Sequence, residues 1–67
     1  MTFGQRLKEV RKACGFNQTE LGELSGVSMN TISAYERDVI DPTLFNITCI
    51  ADVLEVSLDY LVGRKVE

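Results

Sequence analysis

A chain of 67 residues has room for one domain and one modest core, because at this length folding buries only about 60% of the surface that the unfolded chain exposes. With 45% apolar and 25% charged residues the composition is that of a globular domain, and with no histidine and two cysteines far apart, Cys14 and Cys49, it excludes zinc and haem sites and any catalytic histidine. The net charge of −3 excludes a uniformly basic surface, so the distribution of charge matters more than its sum.

The first element is predicted from Thr2, which stands three residues before Gln5 in the order of a capping box; Phe3, Leu7, Val10 and Cys14 then recur at helical spacing until Gly15 stops the helix. Asn17, with Glu20 three places on, opens a second, short helix over about Gln18 to Ser25, whose apolar face is Leu21 and Leu24. Gly26 supplies the positive φ of a sharp turn before Val27, and Ser28 caps a third helix that runs to Glu36 or Arg37 with Ile32 and Tyr35 facing inward. After a loop from Asp38 to Pro42, a longer helix is capped either by Asp41, with Pro42 in the first turn, or by Thr43. Its buried face reads Leu44, Ile47, Ile50, Ala51 and Leu54, while Phe45, Cys49 and Val53 widen the apolar stripe and point to a partner. Ser57 caps a last short helix with Leu58, Leu61 and Val62, which Gly63 ends before a polar tail, 64–67.

The expected fold is therefore all-α, a compact five-helix domain over residues 1–67. No run of apolar residues approaches the roughly 20 needed to span a bilayer, and the first residues lack the charged and hydrophobic regions of a signal peptide, so a cytoplasmic protein without membrane contact is expected. Both cysteines sit at apolar positions and read as small buried hydrophobes. The carboxylates are scattered, with no glycine-rich loop or metal-ligand cluster to organise them, so neither an enzyme nor a cofactor or metal is expected. Arg6, Lys8, Arg11 and Lys12 crowd the first twelve residues, and Asp52, Glu55, Asp59 and Glu67 lie towards the other end; a fold that separates those ends would have a dipolar surface.

Between Gln18 and Arg37 the order is helix, glycine turn, helix, with Leu21, Val27, Ile32 and Tyr35 apolar and Gly22 where a larger side chain is normal. Two helices joined by so short a turn cross steeply, and Gly22 accepts a helix-propensity penalty of about 1 kcal/mol to permit the close approach. Through QTELGELSGVSMNTISAYER and IADVLEVSLDYLVG the sequence resembles the lambda-repressor-like, or XRE, helix-turn-helix family of phage repressors, restriction controllers and antitoxins. A glutamine opening the second helix, the small residue, the turn glycine, the I-S-x-Y-E ending and the trailing A-x-x-L-x-V-S-x-D-x-L occur together in register, and the resemblance covers nearly the whole chain.

That resemblance implies a fold in which the second helix crosses a DNA backbone while the third lies in the major groove. At 100° per residue Asn30, Ser33, Ala34 and Arg37 face outward, with Ser28, Met29 and Thr31 at the leading end or flanks. Asn30 suits an adenine edge, Ser28 and Ser33 either base, and Met29 or Ala34 a thymine methyl. Gln18 matches the family's phosphate-gripping glutamine; Asn17 reads equally as a second phosphate contact or as a capping residue, and Arg37 leans towards phosphate. Arg11 and Glu36 occupy positions that imply an ion pair orienting the third helix.

Where the family usually has glycine after the third helix this chain has Asp38, and the next two residues, often basic, are Val39 and Ile40; an anion near phosphate costs affinity. Two hypotheses follow. The first is a sequence-specific transcriptional regulator that binds double-stranded DNA as a homodimer on a near-palindromic site, with Phe45, Val53, Leu58, Leu61 and Val62 as dimer candidates. The second keeps the fold as a protein-interaction module, an antitoxin or adaptor whose partner docks on Val39 and Ile40.

Overall fold

Five α-helices follow one another in the computed structural model, which describes residues 1–63: α1 Phe3–Ala13, α2 Gln18–Ser25, α3 Met29–Glu36, α4 Leu44–Leu54 and α5 Leu58–Val62. There is no strand among the described residues, and the expected tail, 64–67, lies outside them.

Every helix begins at a polar cap that satisfies amides left without an intrahelical acceptor. Thr2 and Gln5 form a reciprocal capping box, with Thr2 Oγ1 accepting from the Gln5 amide at 3.1 Å and Gln5 Oε1 from the Thr2 amide at 2.9 Å. Asn17 and Glu20 repeat the device on α2, at 2.7 Å and 2.9 Å. Ser28 and Ser57 cap α3 and α5. On α4 the cap is Thr43, whose hydroxyl accepts from the Asn46 amide at 3.1 Å, and so Asp41 is not the cap.

Three helices end in the same paired-bond stop, in which a left-handed residue donates back to the third-last carbonyl region and its successor reaches one residue further. Gly15 does this after α1, with the Gly15 amide on Lys12 O and the Phe16 amide on Arg11 O. After α3 and α4 the left-handed positions are held not by glycine but by Asp38 (φ 56°) and Glu55 (φ 57°), two departures from ordinary backbone preference.

The core is one cluster: Leu7 and Val10 from α1, Leu21 from α2, Val27 from the turn, Ile32 and Tyr35 from α3, Ile47, Ile50, Ala51 and Leu54 from α4, and Leu61 from α5. Phe3 packs its ring edge-on against Tyr35, centroids 6.0 Å apart. Helix α1 lies against α3 and α5, and α2 against α3 and α4.

Several sequence expectations change. Leu24 is 59% exposed, because the buried stripe of α2 turns through Leu21, Gly22 and the half-buried Ser25, whose hydroxyl donates to Leu21 O at 2.7 Å. Leu44 is 74% exposed at the first position of α4, since the inward stripe starts only at Ile47. Cys14 is not a buried hydrophobe; it is exposed at the end of α1, with its thiol 3.7 Å from Leu54 O, and Cys49 is half-buried. The acidic and basic ends of the chain are not separated either, because α1 packs on α5 and Arg6 stacks over the Tyr60 ring at 5.5 Å.

Candidate nucleic-acid interface

The unit that presents α3 is built around a missing side chain. A Cβ on Gly22 would stand 2.8 Å from Val27 O and 3.3 Å from the Met29 amide nitrogen, both backbone atoms of the turn and of the first residue of α3. Only glycine lets α2 touch α3 there. Gly26, at φ 77°, caps α2 in the left-handed region and donates to Gly22 O at 2.9 Å, which reverses the chain within two residues.

The far end of α3 is fixed by charge. Arg11 Nε donates to Glu36 Oε2 at 2.7 Å and its Nη2 to Glu36 Oε1 at 3.0 Å, a two-point pair between α1 and α3. Both side chains are nearly out of solvent, 8% and 3% exposed. Two further bonds tie the pair to its surroundings: Arg11 Nη1 donates to Phe16 O at 2.8 Å, and Gln18 Nε2 donates to Glu36 Oε1 at 3.1 Å. One carboxylate thus joins α1, the start of α2 and the end of α3. The hydrogen bonding of Arg11 to the Glu36 carboxylate raises the guanidinium above its ordinary pKa against the lowering effect of burial.

Along the outer face of α3 the side chains differ in how free they are. Ser28 Oγ accepts from the Thr31 amide at 3.2 Å and donates to Thr31 Oγ1 at 2.9 Å, so the two hydroxyls satisfy each other. Met29 is half-exposed and accepts from Thr19 Oγ1 at 3.1 Å, bridging α2 and α3. Asn30 and Arg37 are exposed, whereas Ser33 and Ala34 are half-buried on the flank. At the start of α2, Asn17 is engaged in its capping box and Gln18 is half-buried with its amide group on Glu36.

The model of the helix-turn-helix family matches residues 7–61, the greater part of the chain. The chain belongs to that family, in its lambda-repressor-like branch. It is 39% identical over 64 residues to the HTH-type transcriptional regulator ImmR of Bacillus subtilis, a match that covers 96% of this chain and 50% of ImmR. To the cryptic phage CTXphi transcriptional repressor RstR of Vibrio cholerae it is 38% identical over 64 residues, covering 96% of this chain and 57% of RstR. The chain therefore spans about half the length of these relatives. Among solved structures it superposes on the P22 c2 repressor in complex with synthetic operator 9T with a TM-score of 0.89 at 32% identity, covering 97% of this chain and 98% of that one. The family is one of DNA-binding transcription regulators and not of enzymes.

Within this helix-turn-helix frame, sequence reasoning missed the partners of Asp38. Its Oδ1 accepts from the Gly4 amide at 2.9 Å and its Oδ2 from the Thr2 hydroxyl, which turns the carboxylate onto the first turn of α1. Gly4 was missed for the same reason: a Cβ there would lie 2.7 Å from Glu36 O and 2.8 Å from Asp38 Oδ1. The only sequence signal was a glycine inside a helical pattern, where it costs about 1 kcal/mol relative to alanine and asks for a packing reason. Leu61 is fully buried in the core and is withdrawn as a dimer candidate. Val53 and Leu58 are partly buried against the core, which leaves Phe45 (76% exposed) and Val62 as exposed members of that set.

Proposed function

We propose that this chain is the DNA-binding part, or the whole, of a sequence-specific transcriptional regulator of repressor type, with α3 in the major groove of double-stranded DNA. The carrying observation is the contrast along α3: its inner face and C-terminal end are tied to α1 and α2, while Asn30 projects exposed from its first turn. A rigidly held helix with a free amide side chain at its leading end is what direct reading of an adenine edge requires. The chain of the P22 c2 repressor that was solved on an operator is similar to this one over 98% of its residues, which supports the same docking here.

In this reading Asn30 and Met29 supply most of the base contact, Ser33 and Ala34 add to it from the flank, and Ser28 and Thr31 shape the leading end through their mutual hydrogen bond. Gln18 meets phosphate at the start of α2, where free amides and the helix dipole favour an anion, with Asn17 beside it and Arg37 at the other end. Arg11 and Glu36 orient α3 without touching DNA. One acidic module makes few phosphate contacts, so a two-fold dimer on a near-palindromic site, with half-sites about 34–36 Å apart or a multiple, completes the binding unit. Phe45 and Val62 are its first contact candidates, and the cytoplasm is its place of action.

Selection of bound duplexes from a random pool tests the proposal. A palindromic consensus supports it; no enrichment at low salt removes it. A second reading is favoured by one observation, the run of exposed apolar side chains at Val39, Ile40, Leu44 and Phe45 beside the end of α3. On that reading the fold is a protein-interaction module, and a stoichiometric protein partner lost on substitution of Val39 and Ile40, with no DNA retained, would establish it instead.

A further inference from the structure

After α3 the chain must enter the left-handed region, at φ 56°, on a residue that is not glycine. The stop itself is complete without the side chain: the Asp38 amide donates to Tyr35 O at 3.1 Å and the Val39 amide to Ala34 O at 3.0 Å. Glycine would make both bonds without the steric cost of a Cβ at that φ. The side chain therefore adds something else. Its carboxylate crosses to the start of α1, where Oδ1 accepts from the Gly4 amide at 2.9 Å and Oδ2 from the hydroxyl of Thr2.

Those partners belong to a helix end that is otherwise capped by its own residues. Thr2 already accepts from the Gln5 amide, and the Arg6 amide bonds Thr2 O at 3.0 Å. Gly4 is the second residue of α1, and its amide, one of the donors that no intrahelical carbonyl can reach, is answered from 34 residues away in sequence. A negative charge at a helix N-terminus is also favoured by the helix dipole. The absence of a Cβ on Gly4 is what allows the approach, since that atom would sit 2.8 Å from the same Asp38 oxygen and 2.7 Å from Glu36 O.

We propose that Asp38 is a positioning residue for the reading helix: it completes the cap of α1 and, with Glu36 on Arg11, pins the last turn of α3 to α1 at two points. The inference rests on the DNA-reading role of α3. It also alters the meaning of an acid beside the DNA, because the carboxylate is directed to amide and hydroxyl donors of its own chain. Asp38 acts through the orientation of α3, and touches no base.

Three proteins separate this from the alternatives: the wild-type chain, Asp38→Gly and Asp38→Asn. Glycine keeps the backbone turn and loses the tether; asparagine keeps an acceptor for the Gly4 amide and tolerates the left-handed region, but carries no charge. Each is measured by thermal unfolding, by amide exchange and chemical shift without DNA, and by binding to the selected duplex and to a scrambled one. In the glycine variant the Gly4 amide should exchange faster, the amides of Asn30 to Tyr35 should shift, and preference for the selected duplex should fall roughly tenfold, the scale of one lost hydrogen bond to a charged group. The asparagine variant should recover most of that preference.

An equal rise in affinity of both variants for both duplexes would overturn the proposal, because it would show Asp38 acting only as an anion near phosphate. So would a glycine variant whose shifts stay within residues 37–39 and Gly4 with duplex preference unchanged. If the wild-type chain prefers no duplex, the DNA reading fails, and the shifts along α3 still decide whether the tether holds the helix.

Discussion

Arg11 and Glu36 meet in a two-point ion pair, Nε to Oε2 at 2.7 Å and Nη2 to Oε1 at 3.0 Å, with only 8% and 3% of their side chains exposed. A pair this dry is costly to form, and breaking it by removing one partner strands a buried charge, at about 3–5 kcal/mol. Proteins have about 0.05–0.15 kcal/mol of stability per residue, about 3–10 kcal/mol for a chain of 67 residues, so this loss is a large share of the whole. Arg11→Met should therefore lower the Tm read by circular dichroism by more than about 10 °C, while the double change Arg11→Met with Glu36→Leu should recover much of that loss. The sign of the pH effect follows from the raised pKa of Arg11: its contribution is present below the ordinary arginine value and is lost only as pH climbs through a still higher one. On the arginine side the pair stays intact over the whole usable pH range.

Gly22→Ala sets two effects against each other. Alanine gains about 1 kcal/mol of helix propensity over glycine. Against this, its Cβ would meet Val27 O at 2.8 Å, and that backbone atom cannot rotate aside. Overpacking of this kind costs about 1–3 kcal/mol, and here it also pushes α3 away from α2, so the net change should be destabilising despite the better helix former. Thermal melts should show a lower Tm by several degrees; a higher Tm would mean that the crossing can relax.

Local chemistry is what the sequence displayed most clearly. Thr2, Asn17, Ser28 and Ser57 were legible as caps because each bonds an amide three residues on, and Gly15 and Gly26 because a left-handed residue stops a helix wherever it occurs. Five helices and the helix-turn-helix order followed from those signals. What failed depended on the third dimension. Leu24 and Leu44 fit a helical stripe but lie just off the face that the neighbouring helices cover, and Leu61 was one position from Val62, with periodicity unable to tell which of the two turns inward. Asp38 looked like a misplaced anion because its partners, Thr2 and Gly4, are more than thirty residues away. Glu55 takes a left-handed conformation at the end of α4 that nothing in its side-chain surroundings explains.

Leu61 and Phe45 should now behave oppositely, although both were read as dimer candidates. Leu61 is fully buried, so Leu61→Ala opens a cavity in the core and should cost about 2–5 kcal/mol, visible as a large fall in Tm. Phe45 is 76% exposed, and Phe45→Ser should change monomer stability by no more than about 0.5 kcal/mol. If Phe45 lies in the dimer contact, sedimentation with and without duplex should instead show a shift towards monomer. A Phe45 variant that unfolds, or one that leaves self-association unchanged, would remove it from the interface.

On the proposed docking Asn30 and Arg37 separate reading from gripping, since Asn30 is exposed in the first turn of α3 and Arg37 is exposed as the residue that caps its other end. On that docking, Asn30→Ala would remove a two-point contact to a base edge without touching the fold, as its side chain lies in solvent. It should cost about 1–3 kcal/mol on the preferred duplex and relax the selected consensus at one position per half-site. Arg37→Gln removes a cation just beyond the last turn of α3, which the proposed docking sets beside the DNA backbone. It should weaken binding to preferred and scrambled duplexes alike, and lower the slope of log affinity against log salt by about 1 per site. A change of base preference in the Arg37 variant with an unaltered salt slope would place its guanidinium on a guanine, and the reading surface would then extend along the whole length of α3.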